Sequence, residues 1–588
     1  MTSSSTIPTA ATPDVCTLAI RVDGSDLSGQ YHVLSITVVR ELNRIPTATL
    51  HIKDGEASSQ TFAASDTDLF IPGKEIEIQL GYRSENVPVF KGVVVRHGLR
   101  ARRSGAVLVV ECKDAAVKLT QGVKSAYFVD KKDSDIIEEI LEARGLAADV
   151  DPTEFDAKAV VQFDSTDWDF IVCRAEANGR VVSVLDGTVA VKAPDATREP
   201  ALTVAFGSTL LELDVEMDAR QQEESILARS WSAADQSLSE SEAAEPAVSG
   251  NGNIDAETLA GVLAAGARVV AHGGALTEPE LQAWADARLL KERFARTRGR
   301  AVFQGFADLA PGETLQVEGI GDRFAGKFFV SGVRHSVTQG NWQTDAQLGL
   351  DPALFARTFE ISRLPAAGLL PAVHGLQVGI VTALAGDPDG EHRIRVRLPV
   401  VSVSDDGVWA RLATLDAGAE RGTYFRPEID DEVIVGFIDG DPRHAVVLGM
   451  LHSSAKATPE PLSDDNNKKG YASREKLLLS FDDEKKIIHL ETPAGNKLSL
   501  TEEDGGITMQ DQNGNKIELS SDGIAIESSK DINIKAASAI KLEGVTIEIA
   551  ASSGLKASGS GTLELKGASA TVEGSAVLTL SGGLVKIN

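Results

Sequence analysis

Carboxylate clusters are the first residues in this sequence that could do chemistry. Asp464-Asp465, Asp482-Asp483-Glu484 and Glu502-Glu503-Asp504 set acids side by side, and two carboxyls facing one groove are what glycoside hydrolysis needs. A sugar-acting site also wants a platform for the ring, usually aromatic. No aromatic lies beyond Phe481 and no arginine beyond Arg474, so these acids read as solvated turns. His444 and His452, eight apart around a strand-like run, would suit a metal, but no HExxH and no Cys/His cluster accompanies them, and polar surface is the better reading. His335, inside a strand-like run, reads as a hydrogen-bonded residue. Gly319-Ile320-Gly321-Asp322-Arg323-Phe324-Ala325-Gly326 has the wrong spacing for a nucleotide loop and reads as a turn between strands. Neither a GxSxG elbow nor a Walker loop occurs. Cys16, Cys112 and Cys173 are too few and too scattered for a disulfide framework and fit as small buried hydrophobes. The sequence therefore predicts no catalytic residue, no metal and no cofactor.

The elements that would position any site are mainly β. The 588 residues are several times the roughly 150 of a typical domain. A net charge of −28 argues against nucleic acid or an anionic membrane surface as the main partner. No stretch approaches the roughly 20 apolar residues of a membrane span, and the first fourteen residues, a Ser/Thr/Pro tail expected to be disordered, have no signal-peptide pattern.

Residues 15–125 alternate apolar and polar, as in Tyr31 to Val39 and Glu75 to Leu80, with turn signals at Asp23-Gly24, Asp54-Gly55 and Pro72-Gly73. That pattern predicts a hub barrel. Residues 126–205 read as a small α+β insert. One helix is expected over Ile136 to Arg144, stopped by Gly145, and another over about 165–178, stopped by Gly179. Trp168 and Phe170 in the second helix are expected in the hub core. A second hub barrel region follows over 206–370. Its Ser/Ala/Glu/Gly-rich stretch, 232–276, predicts a mobile excursion. Thr277-Glu278-Pro279-Glu280 predicts a capping box opening a helix to about 297. Residues 371–455 predict an OB-type barrel. Arg393, Arg395 and Arg397 alternate along one of its strands; without interleaved aromatics they read as a charged outer face or an intersubunit ion pair, not a polyanion site. A polar linker, 456–475, leads to the final region, 476–588.

That final region carries the strongest signal. Apolar pairs at i and i+2 recur at Ile524/Ile526, Ile532/Ile534 and Ile540/Leu542, then at Ile547/Ile549, Leu555/Ala557, Leu563/Leu565 and Ala570/Val572. They continue at Val577 with position 579, and at Val585/Ile587, always seven or eight residues apart. Side chains at i and i+2 share a strand face, so each unit is one short strand and a turn, unable to bury its face alone. One chain coiling on itself, or three chains intertwined, both satisfy the period. The small, β-branched inner residues favour a narrow shaft.

Two segments add a resemblance. Gln162-Phe163-Asp164-Ser165-Thr166-Asp167-Trp168-Asp169-Phe170, followed by Arg174-Ala175-Glu176 and Gly179, resembles the "sDWdF…rAE..G" segment of the VgrG spike family. Gly407-Val408-Trp409-Ala410-Arg411 and Pro427 to Gly449 resemble that family's OB signature, and the order hub, OB barrel, β-shaft matches nearly the whole chain. Arg443 to Ser454 looks closer to spikes of extracellular contractile injection systems than to type VI secretion spikes.

The resemblance implies a homotrimer, with an intertwined trimeric β-helix or β-prism at its C-terminal end. It further implies a structural spike joining a hexameric inner tube to a membrane-puncturing tip, with baseplate components and effector cargo as further partners. The trimer core would be Ile524, Ile526, Ile532, Ile534, Ile540, Leu542, Ile547, Ile549, Leu555, Leu563, Leu565, Val577, position 579 and Val585. Gly582, Gly583, Val585, Ile587 and Asn588 would meet a PAAR-type tip protein. Assembly in a bacterial cytoplasm, then release or secretion as part of a contractile particle, is the implied location. No lysozyme-like domain stands between OB barrel and shaft, so the expectation is a non-enzyme. The alternative is a secreted β-helical polysaccharide hydrolase or lyase.

Overall fold

A computed structural model of the chain describes residues 15–248, 251–263, 266–361, 363–503 and 505–587; the predicted tail over 1–14 lies outside them. The chain divides into two compact units. One runs to Gly375 and includes Phe437–His444; the other comprises Leu376–Gly436 and the residues from Ala445 onward.

In the first unit the strand pairing runs without a break through both predicted hub regions. A thirteen-stranded sheet forms among the described residues, and the two regions join where Gly326–Thr338 pairs antiparallel with Val33–Glu41. Alternation drives this: in Val33–Glu41 the buried side chains are Ile36, Val38 and Arg40, every second residue. The N-terminal half curls back on itself. The Cys16 N–H donates to the Gly340 carbonyl, and Val337 and Trp342 of the later hairpin fill the core made by Ile20, Leu50, Ile78 and Phe90. The second half has its own core around Phe303, Leu315, Val330 and Leu348. The hub is thus one sheet wrapped about two cores, where the sequence suggested two separate barrels, because the strand at 326–338 is long enough to serve both.

The α+β insert holds helices α1 (Asp133–Ala143) and α2 (Asp167–Ala177), a two-stranded ribbon of Val123–Lys132 with Asp156–Thr166, and a three-stranded sheet. Trp168 and Phe170 are both buried in its core beside Phe128 and Ile137. The predicted mobile excursion is corrected. Its described residues carry the strands Ser237–Glu242 and Ala267–His272, which flank Ser225–Ser232 in one sheet, and helix α3 (Ala256–Leu263). Composition misled here because small polar residues serve inside the sheet, Ser230 and Ser241 being buried, while Trp231, Leu238 and Val269 stand exposed on the outer face. The inner face, Ile226 and Ala228, packs on α4 (Glu278–Phe294), where Leu281 and Ala285 meet it. The capping box forms, with the Thr277 N–H donating to Glu280 at 2.8 Å.

In the second unit five strands close a barrel around Val381, Ile394, Val396, Ala410, Val433 and Val447. Gly379 is required there: a Cβ would lie 2.4 Å from the Val396 side chain. The linker expected over 456–475 ends early, since Lys468–Ala472 is the first strand of a seven-stranded antiparallel meander reaching Glu527. From 529 to 587 every described residue is exposed, and no backbone–backbone hydrogen bond joins this segment to itself or to any other described residue; Ser529 Oγ donates to the Asn513 carbonyl and the Lys530 N–H to Ser528 Oγ. One chain therefore does not coil upon itself to make the predicted β-helix.

Candidate functional site

The meander has an inverted face. Its strands alternate apolar and polar residues in register, so Leu479, Leu490, Leu498, Met509, Ile517 and Ile526 fall in one cross-strand column. Phe481, Ile488, Leu500, Ile507, Leu519 and Ile524 fall in a second column on the same face. Side chains two apart on a strand project to the same side. This face is open: exposure is 36% at Leu479 and 50% at Met509. On the opposite face the polar residues Ser480, Thr508 and Glu518 are more covered, by their own cross-strand neighbours. A sheet whose apolar side faces water is incomplete, and a contiguous apolar patch of this kind marks an interaction surface.

Beyond Glu527 the same incompleteness reaches the backbone. Peptide groups inside a fold must be paired, and between 529 and 587 the described ones form no backbone–backbone bond. The predicted core residues lie in this open state, from 49% exposed at Val585 to 81% at Leu565. Ile524 and Ile526 are the exception in placement, because they belong to the last strand of the meander and not to the unpaired repeat. Position 579 is corrected: it is Thr579, and the apolar pair of that repeat is Leu578 and Leu580. Leu578 is 52% exposed and Val577 78%, in keeping with this frame. Of the predicted tip residues, Gly582, Gly583, Val585 and Ile587 are exposed at the far end, and Asn588 lies outside the described residues.

The meander's two columns were not among the expectations drawn from the sequence. Their signal was present as Leu479/Phe481, Ile488/Leu490, Leu498/Leu500, Ile507/Met509 and Ile517/Leu519, at steps of nine and ten. The hub carries a smaller open patch on the outer face of the insert's ribbon, where Tyr127 stands across from Val161 and near Val129 and Phe163, all exposed.

The other singled-out residues take structural roles. Asp167, fully buried, accepts hydrogen bonds from Arg144 at 2.7 Å and Gln162 at 3.2 Å and lies 2.9 Å from the Lys124 ammonium. Burial opposes its ionisation, but the bonds from Lys124, Arg144 and Gln162 outweigh that and hold the carboxyl below its ordinary range. Arg174 grips both oxygens of Asp133 at 2.7 Å. Glu176 accepts the Phe355 N–H at 2.9 Å and pairs with Lys291 of α4. Gly179 has φ +66° and stands against Ala287. The Asp-Trp segment is thus a clamp that fixes α2 to its neighbours.

His335, fully buried, contacts Thr344 at 3.1 Å through Nδ1 and Arg40 at 3.3 Å through Nε2. Burial first, and the Arg40 charge second, push it well below the ordinary histidine value. His452 meets the Lys456 carbonyl through Nδ1. Among the described residues no three His, Cys, Asp or Glu side chains converge as metal ligands would. Arg393 pairs with Asp387 and Asp389, Arg395 with Asp406 while lying over Trp409, and Arg397 donates to the Asp405 carbonyl. Asp464-Asp465 and Asp482-Asp483-Glu484 sit outside or at the ends of meander strands, as do Glu502 and Glu503; Asp504 lies outside the described residues.

Comparison with known proteins agrees with this division. Residues 12–339 match the family described as the Alg8 N-terminal domain. Residues 377–452 match the type VI secretion system/phage-baseplate injector OB domain, and 487–588 match the phage baseplate V C-terminal trimerisation domain. The chain is 31% identical over 105 residues to the type VI secretion system spike protein VgrG5 of Pseudomonas aeruginosa, covering 17% of this chain and 13% of that one. It is 29% identical over 105 residues to VgrG3 of Vibrio cholerae, covering 17% and 10%. The matches thus span a small part of these relatives' length. Among solved structures, a tail protein from Neisseria meningitidis MC58 aligns with TM-score 0.44 and 15% identity, over 58% of this chain and 98% of that one. The E. coli c3393 protein, a type VI secretion system component, aligns with TM-score 0.40 and 14% identity, over 74% and 99%.

Proposed function

We infer function from a plain premise, that this chain belongs to the family of VgrG-type spikes, with a hub of the Alg8 N-terminal domain type, a phage-baseplate OB domain and a C-terminal trimerisation domain; we propose that it is the central structural spike of a contractile injection machine. One observation carries the proposal: the apolar face of the meander and the unpaired repeat beyond it are incomplete in one copy. Three copies complete both. Three meanders set face to face enclose their apolar columns in a prism, and three intertwined repeats pair every backbone group. A closed rod of paired strands has no free edge along its side and resists bending. Such a part transmits thrust and needs no reaction, so the chain acts without catalysis.

The hub would seat on a hexameric inner tube within a baseplate. The end at Gly582–Ile587 would carry a small tip protein of the PAAR type, and effector cargo would travel with the spike into a punctured target membrane. The chain would assemble in a bacterial cytoplasm and leave as part of a released or secreted particle. Light scattering on the purified chain tests the core of this: a particle of three times the 62.2 kDa chain is expected, and a stable, soluble monomer refutes the spike.

A further inference from the structure

We propose that the outward charges of the C-terminal repeat form an interchain Lys–Glu ladder that holds three copies of this chain in one register. This rests on the trimeric spike proposed above and adds to it a surface on each copy that reads its neighbour.

The apolar pairs, with Leu578/Leu580 as the pair of its repeat, set which side chains face inward. In each repeat the residue between the pair, and the one after it, point away from the core. Each of these two outward positions forms a column along the shaft. In the first column the charged residues are Lys541, Glu548, Lys556 and Glu564, in successive repeats, and Lys586 three repeats further on. In the second, Glu527, Lys535 and Glu543 are successive, and so are Lys566 and Glu573. Wherever two consecutive repeats both carry a charge in one column the signs are opposite, six times of six.

Topology turns that sequence order into contacts. If each chain advances one face of the prism per repeat, the strand stacked on a given repeat is the next repeat of a neighbouring chain. Stacked strands lie about 4.8 Å apart, so Lys541 of one copy sits beside Glu548 of the next, and the alternation continues upward. A single copy does not make these contacts by folding into hairpins, since residues 529–587 have no backbone pairing within the chain. In the single chain Glu564 pairs with Lys566 of its own repeat.

The ladder answers a problem that the apolar repeat creates. Sliding one chain by a single repeat leaves every Ile, Leu and Val pair facing inward, so the core does not distinguish one register from the next. The same slip sets Lys541 beside Lys541 or Lys556, and Glu548 beside Glu564. Like charges directly across a strand pair repel and opposite charges attract. Threefold symmetry at the meander sets the starting height, and the ladder keeps the chains in step over the remaining repeats.

The test uses full-length chains with charges reversed on the exterior, where the core is untouched. Variant one is Lys541→Glu with Lys556→Glu; variant two is Glu548→Lys with Glu564→Lys; variant three combines all four changes. Each cross-strand charge pair is worth about 1.4- to 5-fold in an association equilibrium. Variants one and two, each like-charged from 541 to 564 in the first column, are therefore expected to weaken trimer association at low salt by at least about a hundredfold, with much of the loss recovered in 1 M NaCl. Variant three restores wild-type dissociation. Variants one and two refolded together form mixed trimers in excess of random assortment by native mass spectrometry. If wild type is a trimer and the reversals leave its dissociation unchanged, the ladder is refuted. Mixed trimers at the random proportion also refute it, because the contacts would then lie within one chain. A monomeric wild type instead removes the spike itself.

Discussion

Replacing Leu500 by Asp in the meander tests the inverted face most directly. Leu500 lies between Ile488 and Ile507 in the second apolar column and is 38% exposed in the single chain. Full burial of a leucine is worth about 1.5–3 kcal/mol, so closing the exposed part contributes about 1 kcal/mol per copy and about 3 kcal/mol per trimer. Leu500→Asp removes that and puts three carboxylates round one dry axis. Each buried, unpaired charge costs several kcal/mol even after relaxation, which brings the total to on the order of 10 kcal/mol, or about seven decades in the association constant. Analytical dilution followed by light scattering should find the variant monomeric at concentrations where wild type is a trimer. Thr508→Lys is the control. It lies on the opposite face across from Glu518, and a surface change of this kind stays within about 0.5 kcal/mol. A Leu500→Asp chain that remains trimeric at wild-type dilution, or a Thr508→Lys chain that dissociates as readily, refutes the assignment of the faces.

Three further outcomes are expected in the hub and the repeat. His335 is held neutral when folded, while an unfolded histidine takes a proton near pH 6.5. Its effect on stability is therefore nil above that value and unfavourable below it. Hub melting should fall as pH drops from 7.5 to 5.5, by up to about 1.4 kcal/mol per pH unit below 6.5, and His335→Gln should flatten the slope. Asp167→Asn removes the shared acceptor of Lys124 and Arg144 and should cost about 1–3 kcal/mol in hub stability by thermal unfolding; because the carboxyl is held below its ordinary range, the wild type keeps this contribution at neutral pH and loses it only on strong acidification. Ile532→Asp with Ile540→Asp should block assembly of the repeat while leaving hub melting unchanged, measured by mass and by calorimetry on the same sample.

Much of this molecule was legible in its sequence because the strands are regular. The OB barrel follows from local periodicity and the start of α4 from its capping box, while the helix expected from Ile136 begins three residues earlier, at Asp133, and the residues around Asp167 stood out by family resemblance alone. The excursion was misjudged for a physical reason: half of a small sheet's residues face water, so composition alone cannot separate it from a polar loop. The continuous hub sheet was illegible because the pairing of Gly326–Thr338 with Val33–Glu41 joins residues nearly three hundred positions apart, and alternation says which face is buried but not against which strand. At the C-terminal end the period was plain, yet it fitted one chain or three. The single copy, with its backbone unpaired from 529 to 587, separates the two.

The change of step along the shaft has a mechanical consequence. Up to Glu527 strands succeed one another every seven to ten residues and pair within their own chain, so in the proposed trimer each copy would form a face by itself and the copies would touch through apolar side chains. Beyond Glu527, in the proposed trimer, every strand would pair with other copies, so the three chains would be joined by backbone hydrogen bonds as well as by side chains. The first construction allows each chain to fold its meander before it meets a partner. The second forms only after the partners are aligned, because a lone repeat has neither core nor ladder. The order in the chain follows the order of assembly this requires: the part that aligns three copies comes first, and the part that cannot exist without alignment lies at the end that would lead into the target.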